Sequence, residues 1–429
     1  MLVLFININN MMTKKKLLIK IIKFIIIISF IIAAIIVSKN NDMVFDTRLS
    51  QNNKEADYKY FWDFIYNGYP FKEVCERVGA NLKMIQEENY KKLSNLSTER
   101  EYYDFYKNLC TEITSGKNIG HLLVMSYDSY IREFEQNTEK LRKYRLIINS
   151  FYKRLGATQD EKDFFKLRPS YISYKIVEPE KIVYLKIDSF YTLDRQHYKQ
   201  YAIDIWNFLR NTASYKHIII DIRDNGGGYL DNYTIIIQPN TGGKNLKIKQ
   251  YVLYNDNKYT KLHIEDIFKT TYIKLISKKN IKGVKNCGTL RNDKAFVFEN
   301  IIIYCPLNYY KPCKDKKFWL LVNGGSFSAS DSFAYICKQS GFATIIGENT
   351  GGSGLNSPFI GPQRMVLPNS GLVIRYDYGY GLNEDGTSNA EFGTAPDIYN
   401  LPGKDALETC LEEIRKLKEI RKLGEKTNF

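Results

Sequence analysis

The stretch Phe318 to Gly354, FWLLVNGGSFSASDSFAYICKQSGFATIIGENTGGSG, constrains the fold of this chain more than any other. It reads as strand, tight turn, helix and strand. Trp319 to Val322 form a short apolar run, Gly324 and Gly325 interrupt it, and Ala329, Phe333, Ile336 and Cys337 recur at the spacing of one helical face. Ser328 falls where that helix begins. A hydroxyl there stands beside unpaired backbone N–H groups and the positive end of the helix dipole, which suits a nucleophile whose attack creates an oxyanion. The same position also describes a serine that merely caps the helix, and this stretch alone leaves both readings open.

A second stretch, HIIIDIRDNGGG from His217 to Gly228, is a buried-type strand that ends in charge and runs straight into three glycines. Such a turn can aim successive N–H groups at one anionic spot. It lacks the Lys-Ser/Thr ending of a phosphate loop and the spacing of a dinucleotide fingerprint, which argues against nucleotide binding. Upstream, Tyr201, Ile203, Ile205, Trp206 and Leu209 mark a helix between two strands, the βαβ pattern of an α/β fold.

These segments resemble the C-terminal processing (tail-specific) serine peptidases. DIRDNGGG is similar to that family's aspartate, arginine, Asn-Gly-Gly pattern, and GGSFSASDSFA followed by IIGENTGG is similar to its nucleophile helix and next strand. VYLKIDSF (Val183 to Phe190) and GTAPDI (Gly393 to Ile398) match further, in the family's order. The resemblance implies an α/β class with a β-rich peptidase core over 181–402, an insertion of extra strands at 232–316, and Ser328 as nucleophile. It also implies an oxyanion hole from the N–H of Ala329 and of Gly227 or Gly228. The substrate would be a peptide or protein, with no cofactor or metal required.

The base is where the chain departs from the better-known family pattern. Bacterial processing proteases carry a lysine in the turn after the strand that follows the nucleophile helix; the matching position here is Ser353, and no lysine occurs between Lys338 and Lys404. An imidazole is the remaining way to deprotonate Ser328. That arrangement resembles the tricorn-type, histidine-base branch. Of the four histidines, His121 closes a helix-to-strand turn where such cores carry their base, whereas His197, His217 and His263 lie in contexts that match no catalytic position. The assisting carboxylate is expected at Glu391, just before GTAPD, with Asp385 and Glu384 as competitors.

The rest of the chain surrounds this core. Residues 1–44 read as a signal anchor or signal peptide: Lys14, Lys15 and Lys16 precede an apolar run from Leu17 to Ser38, and lysines on that flank leave the body outside the cytoplasm, either membrane-anchored or secreted. Aromatic residues at helical spacing over 45–125 predict a small helical domain. Residues 126–180 read as a charged helical connector, too short for a PDZ domain, and 403–429 as a terminal helix with a basic tail. The seven cysteines fit no zinc spacing; outside the cytoplasm a Cys305–Cys313 or Cys287–Cys305 bridge is open to them. A net charge of +15 without a nucleic-acid motif reads as a lysine-rich solvated surface. Oligomeric state is left open. The competing function is a non-catalytic member of the same fold that binds a peptide or apolar ligand.

Overall fold

Strands whose successive side chains are all apolar must be covered on both faces, and this sorting builds the centre of the molecule. The computed structural model describes residues 49–134, 143–158, 171–255, 257–261, 273–287, 290, 294–307, 310–313, 315–358 and 361–426. The described strands are β1 (Leu123–Val124), β2 (Ile172–Glu178), β3 (Ile182–Ile187), β4 (His217–Asp221), β5 (Leu246–Tyr254), β6 (Ile273–Ser277), β7 (Lys294–Ile302), β8 (Lys317–Val322), β9 (Ala343–Gly347), β10 (Gln363–Val366), β11 (Val373–Tyr376), β12 (Gly379–Leu382) and β13 (Ile398–Tyr399). Six form the main sheet in the order β13-β9-β8-β4-β3-β2, parallel except for the antiparallel β2 edge.

Val183, Leu185, Ile218, Ile220, Leu320, Val322 and Ile345 point to one face, under the helices Arg195–Asn211, Asp231–Ile237 and Ala329–Ser340. Ile182, Ile219, Trp319, Leu321 and Ile346 alternate with them and meet Ala406, Cys410 and Ile414 of the helix Ala406–Lys426. Each such apolar side chain contributes roughly 1.5–3 kcal/mol by burial. The strands are therefore held from both sides. The expected α/β class holds, with its helical region at the N-terminal end.

Two smaller sheets complete the architecture, in the orders β12-β5-β7-β6 and β1-β11-β10. The first uses strands from the 232–316 stretch. The second joins the early chain to the late one: β1 pairs antiparallel with β11, Leu123 opposite Arg375. Continued outward, that register sets His121 opposite Asp377.

Two boundaries differ from the sequence reading. The helices between Gln51 and Ile113 do not have a core of their own: Phe61, Phe64, Phe71 and Tyr106 share one apolar cluster with Val252, Phe296, Val373 and Tyr380. Asp57, fully buried, fastens the first of these helices to the turn between β10 and β11 by accepting from the N–H groups of Asn369 and Ser370, each at 2.9 Å. The connector is shorter than expected. β2 lies inside 126–180 yet pairs along β3 as the sheet's edge, so the sheet begins at Ile172.

All seven cysteines are free, and neither suggested bridge forms. Cys313 Sγ donates instead to the Tyr215 carbonyl at 3.2 Å, and Cys287 packs against the apolar cluster of the helical region. Among the described residues no helix is long and apolar enough to cross a membrane. The Leu17–Ser38 run and His263 lie outside the described residues.

Candidate active site

β4 and β8 are parallel neighbours with Asp221 opposite Leu321, so the glycine turn that follows one and the serine turn that follows the other leave the sheet side by side. Ser328 precedes the helix Ala329–Ser340 at φ 56°, ψ −116°, a left-handed conformation that a non-glycine residue adopts only at a cost of order 1–3 kcal/mol. Its side chain makes no capping hydrogen bond. The hydroxyl instead meets His121 Nε2 at 2.9 Å, which removes the helix-cap reading of this serine.

His121 is buried in the short turn Ile119–His121 ahead of β1. Gly120 (φ 54°) and His121 (φ 50°) are both left-handed, and a Cβ on Gly120 would lie 2.3 Å from the Phe71 ring. Only glycine fits there. Ser353, at the position where a lysine base was absent, braces this turn: its Oγ accepts from Gly120 N at 3.2 Å and donates to Asn118 O at 3.4 Å. The residue in the lysine's place thus supports the turn that carries the imidazole.

The carboxylate against His121 is Asp377, and this corrects the expectation of Glu391. Asp377 Oδ2 accepts from His121 Nδ1 at 2.9 Å and from Asn356 Nδ2 at 3.0 Å, while its backbone N–H donates to Gly120 O at 2.8 Å. Its side chain is fully buried. Glu391, on the short helix Asn389–Phe392, turns the other way and takes Arg77 Nε at 3.0 Å and Nη2 at 2.6 Å. Asp385 is occupied in its own turn by Thr387 N at 3.0 Å. Asp377 was missed because it sits in the aromatic run RYDYGYGL. A carboxylate at the junction of two such apolar strands, where it must be buried and paired, is the signal that could have found it.

The glycine turn also separates two residues that the sequence treated as alternatives. Gly227 N–H donates to Asn225 Oδ1 at 2.9 Å, so it is not available to an oxyanion, and Gly227 drops out of that role. Its own part is clearance: at φ 99°, a Cβ would come 2.6 Å from Phe327 O and 2.9 Å from Ser328 Cβ. The N–H groups of Gly228 and Ala329 donate to no acceptor among the described residues, and both residues line the cleft that holds Ser328.

Behind the serine, Asp331 ties the helix to its surroundings. It accepts from Thr394 Oγ1 at 2.7 Å, from Thr394 N at 3.1 Å and from Gly354 N at 2.9 Å, and also from Thr350 Oγ1. Burial pushes its carboxyl above the usual range, with the bonds from Thr350 and Thr394 pulling the other way. The other described histidines are structural: His197 lies in the first turn of its helix beside the N-cap Asp194, and His217 Nδ1 accepts from Trp319 Nε1 at 3.2 Å.

With a buried Asp-His-Ser chain at the carboxyl end of a parallel sheet, the comparison that decides identity is with the peptidase family S41 model, which matches residues 181–400. The chain belongs to peptidase family S41. It is accordingly a serine peptidase. Among solved structures, this S41 chain is similar to a lipoprotein from Streptococcus agalactiae (16% identity, 85% of this chain and 96% of that one, TM-score 0.45). It is similar too to mature CPAF (13% identity, 83% and 93%, TM-score 0.46) and to the photosystem II D1 C-terminal processing protease (15% identity, 56% and 50%, TM-score 0.33). No curated protein matches the chain.

Proposed function

We propose that this S41 peptidase is an extracytoplasmic endopeptidase that works by acyl transfer with a histidine base. Ser328 attacks the scissile carbonyl while His121 Nε2 takes the Oγ proton. Asp377 holds Nδ1–H, fixes the tautomer and stabilises the imidazolium. The N–H groups of Gly228 and Ala329 receive the oxyanion, each such donor being worth about 2.7–4 kcal/mol in comparable sites. His121 then returns the proton to the leaving amine. Water, deprotonated by the same imidazole, releases the acyl group.

The observation that carries this reading is His121, buried, with Ser328 Oγ and Asp377 Oδ2 each 2.9 Å from its two nitrogens. A non-catalytic binder has no use for a strained serine aligned in this way. The test is hydrolysis of an internally quenched peptide by the full-length protein. Ser328→Ala and His121→Ala should each lose at least about 10³-fold in kcat while unfolding normally. Full activity in either variant refutes the mechanism.

The extracytoplasmic assignment rests on the lysines preceding Leu17. The same segment would hold the peptidase at a membrane. Protease added outside intact cells should degrade the body of the chain; a body protected until the membrane is broken overturns this part.

A further inference from the structure

β5 carries a glutamine in a row of buried apolar side chains. Ile248, Gln250 and Val252 leave the same face of the strand, Ile248 and Val252 at 1% and 0% exposure and Gln250 at 5%. The Gln250 amide makes no hydrogen bond among the described residues. A buried amide without partners lowers stability, so its place in that row needs a reason beyond the fold itself. The little exposure it keeps opens on the cleft it lines, the one of about 760 Å³ that holds Ser328.

The strand is held firmly at this point. β12 pairs with β5 only from Tyr251 onward, and at Lys249 the helix Ala329–Ser340 takes over the strand's edge. Lys249 N–H donates to Gln339 Oε1 at 2.8 Å, and the Lys249 carbonyl accepts from Gln339 Nε2 at 2.9 Å and from Tyr335 Oη at 3.0 Å. The residue before Gln250 is thus clamped to the helix that follows the nucleophile. Ser332 of that helix and Tyr233 also line the cleft, both buried, with their hydroxyl oxygens 3.1 Å apart. Whichever of the two donates, the other keeps its proton for a further acceptor. Ser332 N–H donates to Ser328 O at 2.9 Å, which sets these polar groups one helical turn, roughly 6 Å, beyond the nucleophile.

We propose that Gln250, with Ser332 and Tyr233, forms a subsite for a primary amide, so that the enzyme selects peptides carrying Asn or Gln within about one residue of the scissile bond. A primary amide answers Gln250 at both ends: its NH₂ donates to Gln250 Oε1 while its carbonyl accepts from Gln250 Nε2. An apolar side chain leaves the glutamine unsatisfied, and a carboxylate or ammonium meets no opposite charge in these three residues. Preference among cleaved substrates rests on the peptidase reading above; the binding itself does not.

The test separates the two. Short fluorescein-labelled peptides, each with one variable residue in an alanine background, are titrated by anisotropy against the full-length Ser328→Ala protein, which binds without turnover. Asn is compared with the similarly shaped Leu and Asp, and Gln with Met and Glu. At least one of the two amides should bind about 10- to 100-fold more tightly than both of its counterparts, as expected for two hydrogen bonds made out of water. Adding Gln250→Met, which keeps the length of the side chain and removes its amide, should bring that set to within about threefold of one another. If Gln250→Met fails to fold, the comparison of peptides on the Ser328→Ala protein decides alone. Binding of all peptides within about threefold, tighter binding of the apolar or acidic counterparts, no binding of any, or a preference that survives Gln250→Met overturns the proposal. Hydrolysis of the same peptides by the wild type is scored separately, so failure of the peptidase reading leaves the binding result standing.

Discussion

Substituting Asp377→Asn distinguishes two ways in which a carboxylate helps a histidine. Both donors at this carboxylate, His121 Nδ1 and Asn356 Nδ2, converge on Oδ2, and Oδ1 meets no donor among the described residues. An asparagine will therefore keep its carbonyl oxygen in the Oδ2 position, because the reverse orientation points its NH₂ at two donors. The imidazole tautomer survives, and what is lost is the negative charge facing the imidazolium. At about 4 Å and an effective dielectric of about 20, that charge is worth roughly 4 kcal/mol. Each 1.36 kcal/mol is tenfold, so kcat should fall by about two to three orders of magnitude. This is a smaller loss than the roughly 10⁴ seen when the same substitution imposes the wrong tautomer. The displaced NH₂ occupies a buried site without an acceptor, costing about 1–3 kcal/mol of stability. The assay is kcat on an internally quenched peptide, normalised by active-site titration, with thermal unfolding alongside. Activity within about threefold of wild type would refute the reasoning, since charge at this position would then do nothing.

Glu391→Gln should leave kcat unchanged and cost about 1 kcal/mol or less, because its partner Arg77 is partly exposed; a loss of activity equal to that of Asp377→Asn would restore Glu391 to the site. Gly228→Ala places a Cβ 2.1 Å from the Phe190 carbonyl carbon at φ 142° and should lower both the melting temperature and kcat, whereas Gly226→Ala, with no atom within 4 Å of its Cβ, should keep the fold; similar melting temperatures for the two would contradict this geometry of the glycine turn. Burial pushes the Lys316 ammonium down to about 8, against about 10.4 in an unfolded chain, so the unfolded state binds more protons between those values and stability rises with pH across that window. Lys316→Met should flatten that slope in urea melts compared at about pH 7.5 and about pH 10, and an unchanged slope would show that Lys316 is not its source.

What could be read in the sequence was whatever is local. Ser328 stood out because Gly324 and Gly325 precede it and a helical face follows it, and the strands flanking both turns declared themselves by runs such as HIIID and FWLLV. His121 was reached through the missing lysine at Ser353, and the fold brings it to the serine across a separation of 207 residues. Partnership over such distances is what the sequence hides. Glu391 lay near a matching motif, yet its side chain pairs with Arg77, 314 residues away, on a helix whose packing no local pattern specifies. Asp377 becomes a partner only because β1 joins β11 in one register. Gly227 and Gly228 differ only in where the Asn225 side chain folds back, which is a tertiary contact and not a motif. The edge strand β2 falls inside the expected connector because its apolar residues Ile172, Tyr174, Ile176 and Val177 are broken up by Ser173 and Lys175, and its place in the sheet comes from pairing along β3, a tertiary contact.

The measurement that tests the central claim most directly is labelling of the full-length protein with a fluorophosphonate, followed by peptide mapping of the adduct. The account predicts a single phosphonylated residue, Ser328, absent in Ser328→Ala and strongly reduced in His121→Ala and Asp377→Asn. Ser326→Ala and Ser330→Ala should still label, because both of those hydroxyls are buried and the Ser326 hydroxyl donates to the Ile222 carbonyl. An adduct on another serine, or none at any pH, would contradict it.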